Sequence, residues 1–228
     1  MAKTSPKKSG AKPKDPEAIG AACAEAALRL AGTVGWRHVR LEEVADEAGV
    51  TLGDLRRVAA DKTDLLARFI RHIDAEVLAE ESGFRPEDSV RDRLFDLLMR
   101  RFDALDPYKA GVDSAFQDTL RDPISALRIA PAGVQALGWY LEAAGESADG
   151  PIGALRLKGL AAVWLSALRA WFRDESADLS HTMKALDQGL ARAEQAAGWL
   201  SGRGRRRETP DDAAPGDAED GTADAAAR

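Results

Sequence analysis

Cysteine is nearly absent from this chain. Its single copy, Cys23, cannot close an internal disulfide or build a thiolate cage, which excludes disulfide scaffolds and cysteine-based zinc sites together. Aromatics are few, with two Tyr and six Phe beside five Trp. β-Branched residues are sparse, whereas Ala, Leu, Arg and Glu dominate, and this balance predicts an all-α protein. No run reaches the roughly 18 consecutive apolar residues of a membrane-spanning helix. The Lys-rich start also lacks the apolar stretch of a secretory signal, so the expectation is a cytoplasmic chain that is not an integral membrane protein. The three histidines, His38, His72 and His181, stand apart with no signature around them. His72 and Glu76 share a helix face at a four-residue spacing, but two ligands alone read better as a charge pair than as a metal site. With no phosphate-cradling loop, dinucleotide fingerprint or nucleophile elbow, neither catalysis nor a cofactor is expected.

What is present is 228 residues with 45% hydrophobic content, enough for one or two small domains with a real core. The net charge of −6 conceals opposite ends. Residues 1–14 carry Lys3, Lys7, Lys8, Lys12 and Lys14 without an acid and read as a disordered basic arm, useful for solubility or for phosphate contact. Residues 201–228 pass from an Arg cluster into Asp, Glu, Ala, Pro and Gly and read as a disordered acidic tail.

Between them the apolar spacing is helical. Asp15-Pro16-Glu17 opens a first helix carrying Ile19, Cys23, Ala26, Leu30 and Val34, which ends near Gly35. A short helix over Leu41 to Ala48 closes at Gly49, and Thr51-Leu52-Gly53-Asp54 fits a capping box that opens the next. Asp61 caps a long helix through Leu65, Phe69, Ile73 and Val77 to about Gly83. Five more segments follow, at about 88–105, 107–120, 123–146, 151–173 and 178–200. Pro131 is expected to kink the 123–146 segment or split it in two.

The most informative stretch is Leu41 to Val58. Ala45 is small enough for close helix approach, Gly49 permits a left-handed turn, and Val44, Val50, Leu55 and Val58 plug the angle between two short helices. This resembles the DNA-binding helix-turn-helix. Together with Gly35-Trp36, the run Val44 to Thr51, Asp61-Lys62 and Leu65-Leu66, residues 17–75 resemble the TetR family of bacterial transcriptional regulators. The resemblance implies a TetR-like architecture: a three-helix DNA-binding module over residues 15–62 and a helical regulatory and dimerisation domain over 63–200. It implies a homodimer on a double-stranded DNA operator, a repressor released by a small apolar ligand. Position by position, it places the recognition helix at Leu52 to Ala60, its N-terminal end toward base edges. Gly53 then lets the backbone approach, Leu52 and Asp54 lie in the groove-facing turn, and Arg56 and Arg57 reach phosphates or a guanine edge. Thr51, Arg40 and Lys62 lie where the family contacts phosphates.

The chain departs from that pattern. Arg56 and Ala59 stand where the family usually has aromatics, and Val39 and Arg40 where it has Ser or Thr. Residues 17–62 hold eight acids against six bases, so binding is expected to be salt-sensitive, and a module used only for packing is the alternative.

The C-terminal half concentrates aromatics on the 123–146 and 151–173 segments, where Trp139, Tyr140, Trp164, Trp171 and Phe172 demand burial. The second of these segments is apolar around much of its circumference, which points to a homodimer interface. Trp139, Tyr140 and Trp164 read either as core or as the wall of an apolar ligand pocket. Gly138-Trp139-Tyr140-Leu141 and the run Ala170 to Leu179 are similar to TetR-fold ubiquinone-biosynthesis accessory proteins. That likeness implies an alternative: a lipid ligand held by a protein that does not read DNA.

Overall fold

The structure, a computed structural model, describes residues 15–81 and 83–205, with side chains as far as residue 196. The lysine arm and most of the acidic tail therefore lie outside the described residues. Those described form nine α-helices and no strand, in agreement with the all-α expectation: α1 (Pro16–Val34), α2 (Leu41–Glu47), α3 (Leu52–Val58), α4 (Lys62–Ala79), α5 (Val90–Leu105), α6 (Lys109–Arg121), α7 (Pro123–Ala143), α8 (Gly150–Phe172) and α9 (Ser180–Arg205).

Local chemistry sets most helix starts. Asp15 accepts from the Glu17 amide at 3.1 Å with Pro16 at the first helical position. Asp61 accepts from the Thr63 and Asp64 amides, Ser89 from Asp92, and Asp122 from Ile124. Each cap satisfies an amide that the helix itself leaves without a partner.

Helix α1 is the hub. Its buried stripe of Cys23, Ala24, Ala27 and Ala31 is so short in side chain that other helices approach its backbone, and α2, α3, α4 and α6 all pack on it. The tightest approach is at Gly111 of α6, where a Cβ would overlap the Leu28 carbonyl. Helix α4 leaves this module and carries Phe69, Ile73 and Val77 into a second layer against α5 and α7. Helices α8 and α9 pair alongside, and one continuous apolar cluster runs from Val44 and Leu55 to Tyr140, Trp171 and Leu186.

Of the two outcomes expected at Pro131, the split does not occur: helix α7 runs unbroken through it. The proline deprives the Leu127 carbonyl of its helical partner, but Leu127 and Pro131 are both exposed, so water can take its place. Helix α9 continues to Arg205, past the end expected near residue 200. Helix α8 is long and apolar enough to cross a bilayer by length and composition alone. Arg156 and Lys158 interrupt it, however, and Leu160, Val163, Leu168 and Trp171 pack into the protein core.

Candidate functional site

The turn between α2 and α3 closes as its residues require. Gly49 takes φ 68°, and the Val50 amide donates to the Ala45 carbonyl at 2.9 Å. Val44, Ala45, Val50, Leu55 and Val58 are all buried, which fixes how α3 is rotated. With Leu55 and Val58 turned inward, α3 offers Thr51, Leu52, Gly53, Arg56 and Arg57 on one exposed face. Leu52 is 51% exposed although apolar, and Gly53 has open space around its Cα beyond the Thr51 hydroxyl. Packing within the protein thus explains neither residue.

The polar groups of this face divide into committed and uncommitted ones. Asp54 receives the Thr51 amide at 3.1 Å and the Thr51 hydroxyl at 2.6 Å, while its own amide donates to Thr51 Oγ1 at 3.0 Å. This is the reciprocal capping box expected from the sequence, and it employs Asp54 in holding the helix start. Arg57 donates to Asp54 at 2.7 Å. Arg56 is exposed and makes no hydrogen bond or ion pair among the described residues. Arg40 is exposed beside α2, its guanidinium 3.5 Å from Glu42. Lys62 faces inward: its ammonium donates to the Trp36 and Arg37 carbonyls at 2.9 and 3.1 Å, and burial holds its pKa below the usual lysine value against the pull of Asp118. It closes the turn after α1.

A second site lies in the C-terminal half. Helices α4, α5, α6, α7 and α8 line a half-open apolar cavity of about 310 Å³. Phe69, Phe116, Leu137 and Trp164 are among its walls, with Arg101 of α5 the one charged lining residue among those described. The three aromatics that the sequence groups together are separated here. Trp164 lines the cavity and stacks on Phe102 at 4.6 Å between ring centroids. Tyr140 is fully buried behind it and donates to Asp74 at 3.2 Å. Trp139 is 60% exposed and lines no part of the cavity, contrary to the burial expected of it, because adjacent residues on a helix point about 100° apart.

Sequence reasoning missed the polar centre of this site, the buried pair Arg101 and Asp74 at 2.9 Å. The Arg101 guanidinium lies 4.4 Å from the Trp164 ring centroid and 5.2 Å from that of Tyr140. Burial raises the Asp74 carboxyl above its ordinary range, opposed by Arg101 and the Tyr140 hydroxyl. A signal existed: Arg101 follows Leu94, Leu97 and Leu98 by seven, four and three positions, on the buried face of α5.

Helix α6 joins the two sites. Val112, Ala115, Phe116 and Thr119 line the cavity, while Ser114 and Asp118 grip the N-terminal module. Ser114 accepts from the Trp36 amide at 2.8 Å, and Asp118 accepts from the Arg37 amide and guanidinium at 3.0 and 3.2 Å. From α7, Arg128 donates to Asp61, the α4 cap, at 2.7 Å. His72 forms a separate link, with Nε2 3.2 Å from Glu25 and 3.3 Å from Glu76.

No protein-family model and no curated protein sequence matches this chain. Solved structures do. A TetR transcriptional regulator from Nitrosomonas europaea ATCC 19718 superposes with TM-score 0.65 at 24% identity, over 79% of this chain and 99% of that one. A TetR transcriptional regulator from Rhodococcus sp. RHA1 does so with TM-score 0.54 at 20% identity, over 80% of this chain and 98% of that one. The shorter likeness to ubiquinone-biosynthesis accessory proteins finds no support in these comparisons. With its helix-turn-helix mounted on α1 and its helical body continuous with α4, the chain has the TetR-like fold.

Proposed function

We propose that the protein is a sequence-specific DNA-binding transcriptional regulator of TetR type, a repressor that acts as a homodimer and is released by a small apolar ligand. The observation that carries this reading is the exposed face of α3. Its one uncommitted guanidinium, Arg56, stands beside a glycine and a leucine that packing does not explain. A short helix in a major groove needs a close backbone approach, an apolar contact and a free donor. Arg40, Thr51 and Arg57 flank this face and suit phosphate contact. Asp54 and Lys62 act indirectly, by holding the helix start and the preceding turn.

Dimerisation is supported by apolar side chains left in water. Ile124 and Leu127 on α7 are 74% and 77% exposed, and Ile152 and Leu155 on α8 are exposed as well. A two-fold pair would set two recognition helices about 34 Å apart, matching successive major grooves. Ligand control is supported by α6, which touches both the cavity and the module. A molecule that spreads the cavity would displace the helix holding Trp36 and Arg37.

Genomic-fragment binding by the purified protein at about 50 and 200 mM salt tests the reading, since non-specific phosphate binding weakens steeply over that range. Retention of one palindromic fragment at the higher salt is expected. Loss of all binding there overturns DNA recognition, and sedimentation as a monomer at micromolar concentration overturns the dimer.

A further inference from the structure

We infer that the cavity selects neutral, largely apolar molecules carrying one hydrogen-bond acceptor, such as an aryl ketone, ester or amide, and that Arg101 supplies the donor. This rests on the ligand-controlled reading above and narrows it to a chemical class. Four observations converge. The cavity is apolar apart from Arg101 and the Thr119 hydroxyl, so a mostly hydrocarbon occupant gains from burial. Its volume of about 310 Å³ suits a fused bicyclic aromatic. Arg101 is 4% exposed, and its Nε–H has no hydrogen-bond partner among the described residues, so its guanidinium is under-satisfied. An under-satisfied guanidinium beside an apolar cavity favours any ligand that brings an acceptor.

The charge of the ligand follows from Asp74. The Arg101 guanidinium already meets the Asp74 carboxylate at 2.9 Å, and Tyr140 donates to that same carboxylate. The pair is formally neutral. A carboxylate ligand would enter an apolar cavity without an uncompensated cation to receive it, while also approaching the buried Asp74 charge. A carbonyl oxygen accepts from the guanidinium where Arg101 borders the cavity, without adding a charge. Trp164, which stacks on Phe102, also lines the cavity and adds an aromatic contact for a ligand ring.

The test uses the full chain and three probes of one shape: 2-acetylnaphthalene, 2-isopropylnaphthalene and 2-naphthoate. Binding is followed by calorimetry and by quenching of tryptophan emission. The ketone is expected to bind about tenfold or more tighter than either of the others, the size of one hydrogen bond to a charged donor. Thr119→Val keeps that preference if Arg101 is the donor. Arg101→Met abolishes it, and the double variant Asp74→Asn with Arg101→Met does so without leaving an unpaired buried charge. Equal binding of ketone and hydrocarbon, tighter binding of the naphthoate, or loss of the preference in Thr119→Val would each overturn the inference while leaving the ligand cavity standing. Failure of all three probes to bind overturns the cavity as a ligand site as well, whereas DNA recognition stands or falls on the fragment experiment alone.

Discussion

Arg37 holds Asp118 twice, once through its backbone amide at 3.0 Å and once through its guanidinium at 3.2 Å. These bonds tie the turn after α1 to α6, whose other face lines the apolar cavity. Burial pushes the Asp118 carboxyl up, but the two Arg37 contacts outweigh it and the net displacement is downward. Asp118→Ala should leave DNA affinity in the absence of ligand within a few-fold of wild type while reducing the effect of a cavity ligand on that affinity. Titration of DNA with and without 2-acetylnaphthalene checks this, and an undiminished ligand effect would show that α6 does not couple the sites through Asp118.

Arg56 and Arg57 share an exposed face but differ in commitment. Arg56→Ala should weaken specific DNA binding by about 1–3 kcal/mol, a loss of roughly fivefold to a hundredfold, if it reads a base edge. Because Arg56 is exposed and makes no hydrogen bond or ion pair among the described residues, its removal should shift unfolding free energy by no more than about 0.5 kcal/mol. Arg57→Ala removes a partner of Asp54 and should weaken binding to all sequences alike, lowering the salt slope by about one. A gel shift across salt concentrations separates the two, and unchanged affinity in both variants would sink the recognition-helix assignment.

Gly111→Ala should be among the most disruptive single-methyl additions in the chain. The new Cβ meets the Leu28 backbone, which cannot swing aside as a side chain would, so α1 and α6 must part. A cost of about 1–3 kcal/mol or more is expected from such overpacking. Chemical denaturation measures it. A variant as stable as wild type would mean that this helix pair slides freely.

Removing one member of the buried ion pair should cost more than removing its hydroxyl neighbour. Asp74→Ala leaves the Arg101 guanidinium buried without a counter-charge, a change worth about 3–5 kcal/mol. Tyr140→Phe deletes only one donor to Asp74 and should cost about 1 kcal/mol. Thermal unfolding of both variants ranks them, and a reversed order would contradict the pairing.

The junction of α8 and α9 predicts a pH dependence. Asp174 is buried, which raises its pKa, but hydrogen bonds from the Ser176 hydroxyl and from the Thr182 amide and hydroxyl hold it far below its ordinary 3.8. A depressed carboxyl stabilises the fold fully above the unfolded value and loses that contribution as pH falls toward the folded one. The stability gap between wild type and Asp174→Asn should therefore be about 2 kcal/mol at neutral pH and shrink below about pH 4. A gap that stays constant with pH would assign the loss to packing instead.

Most of the helices and the helix-turn-helix were legible in the chain itself, for a physical reason. Caps such as Asp15, Thr51 with Asp54, and Asp61 act within four residues, and the buried stripe of a helix repeats at a period that neighbours in sequence reveal. The turn at Gly49 and the plug formed by Val44, Val50, Leu55 and Val58 are likewise local. Their spacing determined the exposed face of α3 before any packing was known.

Tertiary structure decided the rest, because it depends on residues far apart in the chain. Only packing reveals that Lys62 turns inward to the Trp36 carbonyl, that Trp139 stays in water while Tyr140 is buried, and that Pro131 lies where its missing hydrogen bond faces solvent. The pairing of Arg101 with Asp74 spans two helices, and no local pattern specifies which buried charge meets which. Periodicity places a residue on a face. What that face meets is set by the mutual exclusion of side chains across the whole core, and from that comes the apolar cavity bordered by Arg101.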